Sequence, residues 1–166
     1  IIIAASEEFS KYIFLRYYAY KKPSFNEPYD GIIYAVMVGM GFATVENLMY
    51  IFGADTLGAA WGTAGLRAVT AVPAHATFAA IMGYFMGLAK FNHANEKSLM
   101  FRGFLMATIL HGFYDFFLFQ NLTVGLYIGA VASLIIGLRF TIRAMKLHKQ
   151  NPNSFKQTTN TLDSVL

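Results

Sequence analysis

Long runs of apolar residues, separated by short polar links, are the feature that most constrains the fold of this chain. Five of the runs are each close to the roughly 20 residues that a helix needs to cross a bilayer. An outer-membrane barrel would instead show short strands of alternating polarity. Charged residues make up only 13% of the chain, too few for the surface of a soluble domain or for a disordered segment. The sequence therefore predicts an all-α fold, a polytopic transmembrane helix bundle.

Charged residues, prolines and glycines bound the five predicted spans. In chain order the spans are Ile1–Tyr20, Gly31–Phe52, Pro73–Lys90, Ser98–Phe119 and Thr123–Ala144. Asp30 is predicted to cap the second span. The weakly amphipathic segment Leu57–Ala71 predicts one further helix, which is either interfacial or the outer part of a kinked helix. We expect one transmembrane domain over residues 1–146, with further spans preceding it because Ile1 already lies inside an apolar run, and a polar cytoplasmic tail over residues 147–166.

The distribution of lysine and arginine predicts the orientation of the bundle. Basic residues lie in the links after the first and third spans and at the span ends beside them, and at the end of the fifth span and just after it: Lys21, Lys22, Lys90, Lys97, Arg102, Arg139, Arg143, Lys146 and Lys149. The links at residues 53–56 and 120–122 contain none. Because basic loops stay in the cytoplasm, we predict that these links and the C-terminus are cytoplasmic. The net charge of +4 is explained by this topology, and binding of nucleic acid is not predicted.

A few ionisable residues lie inside the predicted spans, where each costs roughly 2.5–3.5 kcal/mol on insertion scales. At about 1.5 Å per residue, Glu7, Glu46, His75 and His111 all lie roughly 20–24 Å from the cytoplasmic ends of their spans. That common level is about two-thirds of the way across a hydrocarbon core of roughly 30 Å. Unrelated structural features would scatter in depth, so the sequence predicts one shared site near the extracytoplasmic side.

Spacing along the helices predicts two local pairs in this site. Glu7 and Lys11 are four residues apart, so their side chains share a helix face and can form an ion pair. His111 and Asp115 have the same spacing. Asp115 can therefore orient His111 through a ring N–H or join it as a second ligand.

The motifs occur in a fixed order on four predicted helices. They are Glu7-Glu8-x-x-Lys11, Phe42-x-x-x-Glu46-x-x-x-Tyr50, an isolated His75 followed by Gly83, and His111-x-x-x-Asp115. This set resembles the PrsW family of intramembrane proteases, which is related to the type II CAAX prenyl endopeptidases, and the resemblance covers about Ser6 to Phe119. It implies an endopeptidase of the bacterial cytoplasmic membrane. The implied substrate is a single-span membrane protein, for example an anti-sigma factor, which is cut near the extracytoplasmic face.

Peptide hydrolysis needs an activated water and a stabilised oxyanion, and a chain without cysteine offers no thiol nucleophile. A carboxylate and two imidazoles with an open fourth position can form a catalytic Zn²⁺ shell. The residues that can supply this shell are Glu46, His75 and His111. Asp115 would then lie behind them, and Glu7 or Glu8 would act as the general base on the bound water. A metal-free alternative uses one glutamate as the base and the histidines as oxyanion donors, and the sequence leaves the choice open.

Two other classes of function compete with a protease. A non-catalytic membrane scaffold of the same fold would tolerate substitution of the buried polar residues. A proton-coupled transporter would use buried Glu, His and Asp side chains as a relay, but it predicts internal repeats that the sequence does not show. Arg67, in the amphipathic segment, is interpreted as an interface anchor whose charged end reaches the headgroups.

Overall fold

The computed structural model describes residues 2–120 and 127–150. Two single 3₁₀ turns, Ala19–Lys21 and His93–Asn95, lie in the links. The α-helices are α1 (Ile2–Tyr17), α2 (Pro28–Phe52), α3 (Leu57–Val69), α4 (Ala71–Lys90), α5 (Glu96–Phe119) and α6 (Tyr127–Gln150). The described ranges contain no β-strand. The predicted all-α helical membrane bundle is confirmed.

Within residues 2–120 and 127–150, three helical stretches are long and apolar enough to cross a membrane, namely Pro28–Phe52, Leu57–Lys90 and Ile128–Lys146. Helices α1 and α5, also predicted to be spans, fall outside this group. α1 is 16 residues long, and both helices carry ionisable side chains inside their apolar sequence. That α1 and α5 cross the membrane therefore stays a prediction, which their packing beside the other helices supports.

Helix α2 begins three residues before the predicted start at Gly31. Glu27 is the N-cap residue and Pro28 is the first helical residue, a position where the missing N–H of proline costs nothing. The carboxylate of Asp30 accepts hydrogen bonds from the backbone N–H groups of Asn26 and Glu27 at 2.9 and 2.8 Å. Asp30 therefore stabilises the helix start from within the first turn, as in a capping box, and is not the cap itself.

The segment predicted to be interfacial or kinked is helix α3, which is separated from α4 by Thr70 alone. Thr70 has φ −119° and ψ −71°, which interrupts the helical hydrogen-bond pattern. Pro73 explains the interruption, because it has no N–H to donate to the carbonyl of Val69 and its ring crowds that group. The structure thus matches the kinked-helix alternative, with α4 beginning at Ala71, two residues before the predicted start.

Helix α4 lies at the centre of the bundle, against α2, α5 and α6, with 13 of its 20 residues buried. Glycines allow its close approach to α2. A Cβ atom on Gly31 would lie 2.7 Å from the backbone nitrogen of Gly87, closer than any carbon side chain tolerates. The large side chains of Phe78, Met82 and Met86, spaced four residues apart on one face of α4, fill the core beside this contact.

The links that carry basic residues lie together at one end of the bundle. Lys90 donates a hydrogen bond to the backbone oxygen of Tyr20, and its ammonium lies 4.5 Å from the ring centroid of Phe25. Arg16 forms an ion pair with Glu96 at 3.2 Å. The geometry agrees with the sequence in placing these links on one side, and the assignment of that side to the cytoplasm stays a prediction.

Helix α6 continues to Gln150, so the predicted boundary between the domain and the tail at residue 147 falls within a helix. The rest of the predicted tail, residues 151–166, lies outside the described residues. The predicted start of the fifth span at Thr123 also lies outside them.

We expect Gly31→Ala to destabilise the bundle, because the added methyl group would contact the backbone of α4. Overpacking of this kind costs about 1–3 kcal/mol. Gly41→Ala on the same helix is the matched control, since a Cβ atom there meets nothing within 4 Å. The thermal unfolding midpoint in detergent should fall for Gly31→Ala alone, and equal midpoints for the two variants would contradict the packing described.

Candidate active site

Ionisable side chains from four helices meet at one level of the bundle. All six residues predicted from the sequence are present: Glu7 and Glu8 on α1, Glu46 on α2, His75 on α4, and His111 and Asp115 on α5. The rings of the two histidines are edge to face, with centroids 5.1 Å apart. The common depth predicted from helix rise therefore corresponds to direct contact among these side chains.

His111 lies between three carboxylates. Its Nδ1 is 2.8 Å from Oε1 of Glu8, and its Nε2 is 3.4 Å from Oδ2 of Asp115 and 3.8 Å from Oε2 of Glu7. The ring of Phe78 stacks on the imidazole at 5.1 Å. These contacts hold the ring in one orientation, with Nε2 directed toward Asp115 and Glu7.

Both ring nitrogens of His75 have partners. Nε2 lies 2.7 Å from Oε2 of Glu46, and Nδ1 lies 2.9 Å from Nζ of Lys11. A lysine ammonium can only donate, so Nδ1 accepts from Lys11 and the N–H at Nε2 donates to Glu46. The two neighbours thereby select one neutral tautomer of His75.

The predicted ion pair between Glu7 and Lys11 is wrong, because Lys11 pairs with the other glutamate. Its Nζ lies 2.6 Å from Oε1 of Glu8, three residues earlier on α1. Lys11 is 1% exposed and Glu8 is 0% exposed. Spacings of three and four residues both bring side chains together on a helix, so the sequence does not decide between the two glutamates.

The structure separates the roles of the two glutamates. Glu7 lines a cavity of about 490 Å³, its side chain is 17% exposed, and its Oε2 has no hydrogen-bond partner among the residues that the structure describes. Glu8 is fully buried and does not line the cavity. The other acidic, basic and imidazole side chains along the cavity are Glu46, Arg67, His75, His111 and Asp115. The sequence does not decide which of the two glutamates acts at the site. Glu7 is the one whose side chain faces the cavity.

Three residues around the cavity could hold a metal ion. Glu7, His75 and His111 each offer a ligand atom, and these atoms lie within 4.8 Å of one another. One carboxylate and two imidazoles form a donor set that Zn²⁺ uses in catalytic sites, and Oε2 of Glu7, which accepts no hydrogen bond from the described residues, is available to such an ion. The set expected from the sequence has Glu46 in place of Glu7.

Arg67 also belongs to this site, and its interpretation as an interface anchor is wrong. Arg67 is 9% exposed, and its Nη2 lies 2.7 Å from Oε2 of Glu46. The signal in the sequence was the cost of an arginine within an apolar segment. Without knowledge of how α3 packs against α2, an arginine that extends to the membrane interface explains its presence equally well.

Comparison with known proteins places the chain in one family. Residues 1–140 match the family model described as the PrsW family intramembrane metalloprotease, and this match covers more than half of the chain. No solved structure matches the chain significantly.

Curated relatives give the same assignment. The chain is 39% identical to the protease PrsW of Geobacillus kaustophilus over 126 residues, which are 76% of this chain and 54% of that protein. It is 39% identical to the protease PrsW of Oceanobacillus iheyensis over 154 residues, 92% of this chain and 66% of that protein. The chain therefore spans between half and two-thirds of the length of these relatives.

We expect Lys11→Met to destabilise the protein strongly, because it leaves the buried carboxylate of Glu8 without its cation. Removing one partner of a buried ion pair costs about 3–5 kcal/mol. Lys97→Met, at an exposed position on α5, is the control and should change little. Thermal unfolding in detergent measures both variants, and similar midpoints would show that the Lys11–Glu8 pair contributes little to stability.

Proposed function

The chain belongs to the PrsW family of intramembrane metalloproteases, and on that premise we propose that it is an intramembrane endopeptidase. The observation that carries the proposal is the cluster of Glu7, His75 and His111 on the wall of a cavity inside the bundle. Three helices contribute one residue each, and none of the three is needed to satisfy the backbone of its helix. A cavity lined by convergent polar groups is the usual form of an active site.

The proposed substrate is a single-span protein of the bacterial cytoplasmic membrane. Ile3, Ala71 and Phe119 line the cavity, and they lie at the ends of α1, α4 and α5 away from the basic links. If the basic links are cytoplasmic, as predicted, the cut falls near the extracytoplasmic side of the substrate's span. A membrane-bound anti-sigma factor is the substrate that the motif resemblance implies.

Two carboxylates orient the two histidines. Glu8 contacts Nδ1 of His111, and Glu46 contacts Nε2 of His75. Carboxylates in this position fix ring orientation and make the opposite nitrogen a better donor of its lone pair. We assign Glu8 and Glu46 this orienting role, which leaves Glu7 and Asp115 as the acidic groups on the cavity wall that are free for other roles.

Glu7, His75 and His111 are the residues that would hold a zinc ion. When bound, zinc supplies a Lewis acid and a water reactive enough to attack a peptide carbonyl at neutral pH. Nδ1 of His75 contacts Lys11 in this structure, so the ammonium has to move away before that atom can act as a ligand.

Asp115 is assigned the proton transfers of the reaction. It lines the cavity, and its side chain, 22% exposed, is the most accessible of the four site carboxylates that form ion pairs with the histidines. In this scheme its carboxylate accepts a proton from the attacking water and then returns it to the leaving amine as the C–N bond breaks. The apolar residues around the cavity limit access of bulk water to the reacting groups.

We expect Glu7→Gln and His111→Ala to abolish cleavage of a tagged single-span anti-sigma factor by the full-length protein in cells. Each substitution removes a group that faces the cavity while leaving the helix backbone intact. The substrate is expressed with each variant, and the fragment is measured by immunoblot beside the amount of protease.

The matched controls for this experiment are Glu96→Gln and His93→Ala, which change the same residue types in or beside the link between α4 and α5. Both should cleave as the wild type does. Cleavage by all four variants at normal protein level would assign the polar cluster a structural role and favour the scaffold alternative.

We expect a zinc chelator to stop cleavage by the purified protein in detergent, and added Zn²⁺ to restore it. The metal content of the protein, measured directly, should be about one ion per chain and should fall in Glu7→Gln. Undiminished cleavage by metal-free protein would instead assign the reaction to the glutamate and histidines alone.

A further inference from the structure

Helix α3 is attached to the bundle in an unusual way. Only two of its 13 residues are buried, Ala60 and Arg67. Its large apolar side chains point outward and are exposed: Leu57, Trp61, Leu66 and Val69. Because alanine offers little contact area, the one long side chain that α3 inserts into the protein is a charged one.

Arg67 enters a socket formed by one face of α2. Its Nη2 is 2.7 Å from Oε2 of Glu46, and its Nε donates to Oδ1 of Asn47 at 2.7 Å. Its guanidinium lies over the ring of Tyr50, 4.0 Å from the centroid. A planar guanidinium can satisfy the carboxylate, the amide and the ring together, whereas a lysine ammonium is a single point charge.

The socket is connected directly to the candidate active site. The same carboxylate oxygen, Oε2 of Glu46, lies 2.7 Å from Arg67 and 2.7 Å from Nε2 of His75. The position of Arg67 therefore limits where this oxygen can lie, and the oxygen in turn orients the imidazole.

An anchor alone would not require a charge. In an apolar environment a leucine or methionine would attach α3 to α2 without the cost of removing a guanidinium from water. The guanidinium contributes what those residues lack, a cation 2.7 Å from Oε2 of Glu46 that holds this carboxylate in place beside His75.

We propose that Arg67 is a positioning residue that holds the carboxylate of Glu46 on His75 and, by the same contact, fastens α3 to the wall of the site. This inference rests on the proposed function for its effect on catalysis. The attachment of α3 does not depend on that function and can be tested separately.

The first test is a double-mutant cycle on cleavage of the tagged single-span substrate. Arg67→Met should lower the cleavage rate at least tenfold, and Arg67→Lys should retain part of the activity because it keeps a positive charge near Glu46. Because Arg67 acts through Glu46, the double variant Arg67→Met/Glu46→Gln should be no slower than the slower single variant.

Two results of the cycle would overturn the inference. Wild-type cleavage by Arg67→Met would show that positioning does not require the guanidinium. Additive losses in the double variant would show that Arg67 acts on the substrate and not through Glu46. Arg102→Met, at an exposed arginine on α5, controls for loss of charge and should cleave normally.

The second test measures the attachment of α3 without any proteolysis. The chain contains no cysteine, so Ala60→Cys introduces a single thiol at the other buried position of α3. Arg67→Met and Arg67→Lys should both increase the rate at which a maleimide labels this thiol, with the larger increase in Arg67→Met. A thiol at Gly62, an exposed position on α3 with open space around it, should be labelled quickly in every background.

The two tests separate the inference from the proposed function. If the wild type cleaves no substrate but labelling at residue 60 rises in the Arg67 variants, the protease proposal fails and the attachment of α3 stands. If labelling does not change in Arg67→Met, the inference is wrong, whatever the cleavage assay shows.

Discussion

The cost of holding charge away from water governs this structure, because an ionised group inside a bundle of apolar helices needs a partner close by. Two buried cations meet that need at the site, Lys11 on Glu8 and Arg67 on Glu46. Each cation also links helices, since Lys11 on α1 contacts His75 on α4 and Arg67 joins α3 to α2. The buried charges, which are costly inside a membrane, are therefore the same groups that bring the side chains of the candidate active site together.

Close packing of small residues sets the distances in the site. A Cβ atom on Gly39 would lie 2.8 Å from the backbone oxygen of His75, so α2 and α4 are nearly in backbone contact at the level of that histidine. Glu46 follows Gly39 by seven residues, which is about two helical turns and returns to a similar face. The approach of the two helices thus places the carboxylate of Glu46 within hydrogen-bond distance of the His75 ring.

The side chains of the site fall into two groups according to burial, an inner group that is enclosed by the helices and an outer group that faces the cavity. Glu8 and Lys11 are almost completely enclosed and orient their neighbours, whereas Glu7 and Asp115 line the cavity. Two adjacent residues on a helix point about 100° apart, so one member of the Glu7–Glu8 pair can belong to each group. This arrangement gives a physical reason for two consecutive glutamates in an apolar helix.

The sequence by itself determined the helical membrane bundle and most of the site. The lengths of the apolar runs define the helices, and the rise per residue gives the depth of each residue in the membrane. The shared level of Glu46, His75 and His111 was therefore predictable without coordinates. Rotation about the helix axis and the contacts between helices were not, because both depend on packing among all the helices at once. Only the tertiary structure decided that Lys11 pairs with Glu8, that Glu7 faces the cavity, and that α3 folds back so that its arginine reaches Glu46. The depth of a residue follows from one helix alone, whereas the partner of a buried charge depends on how the neighbouring helices are turned.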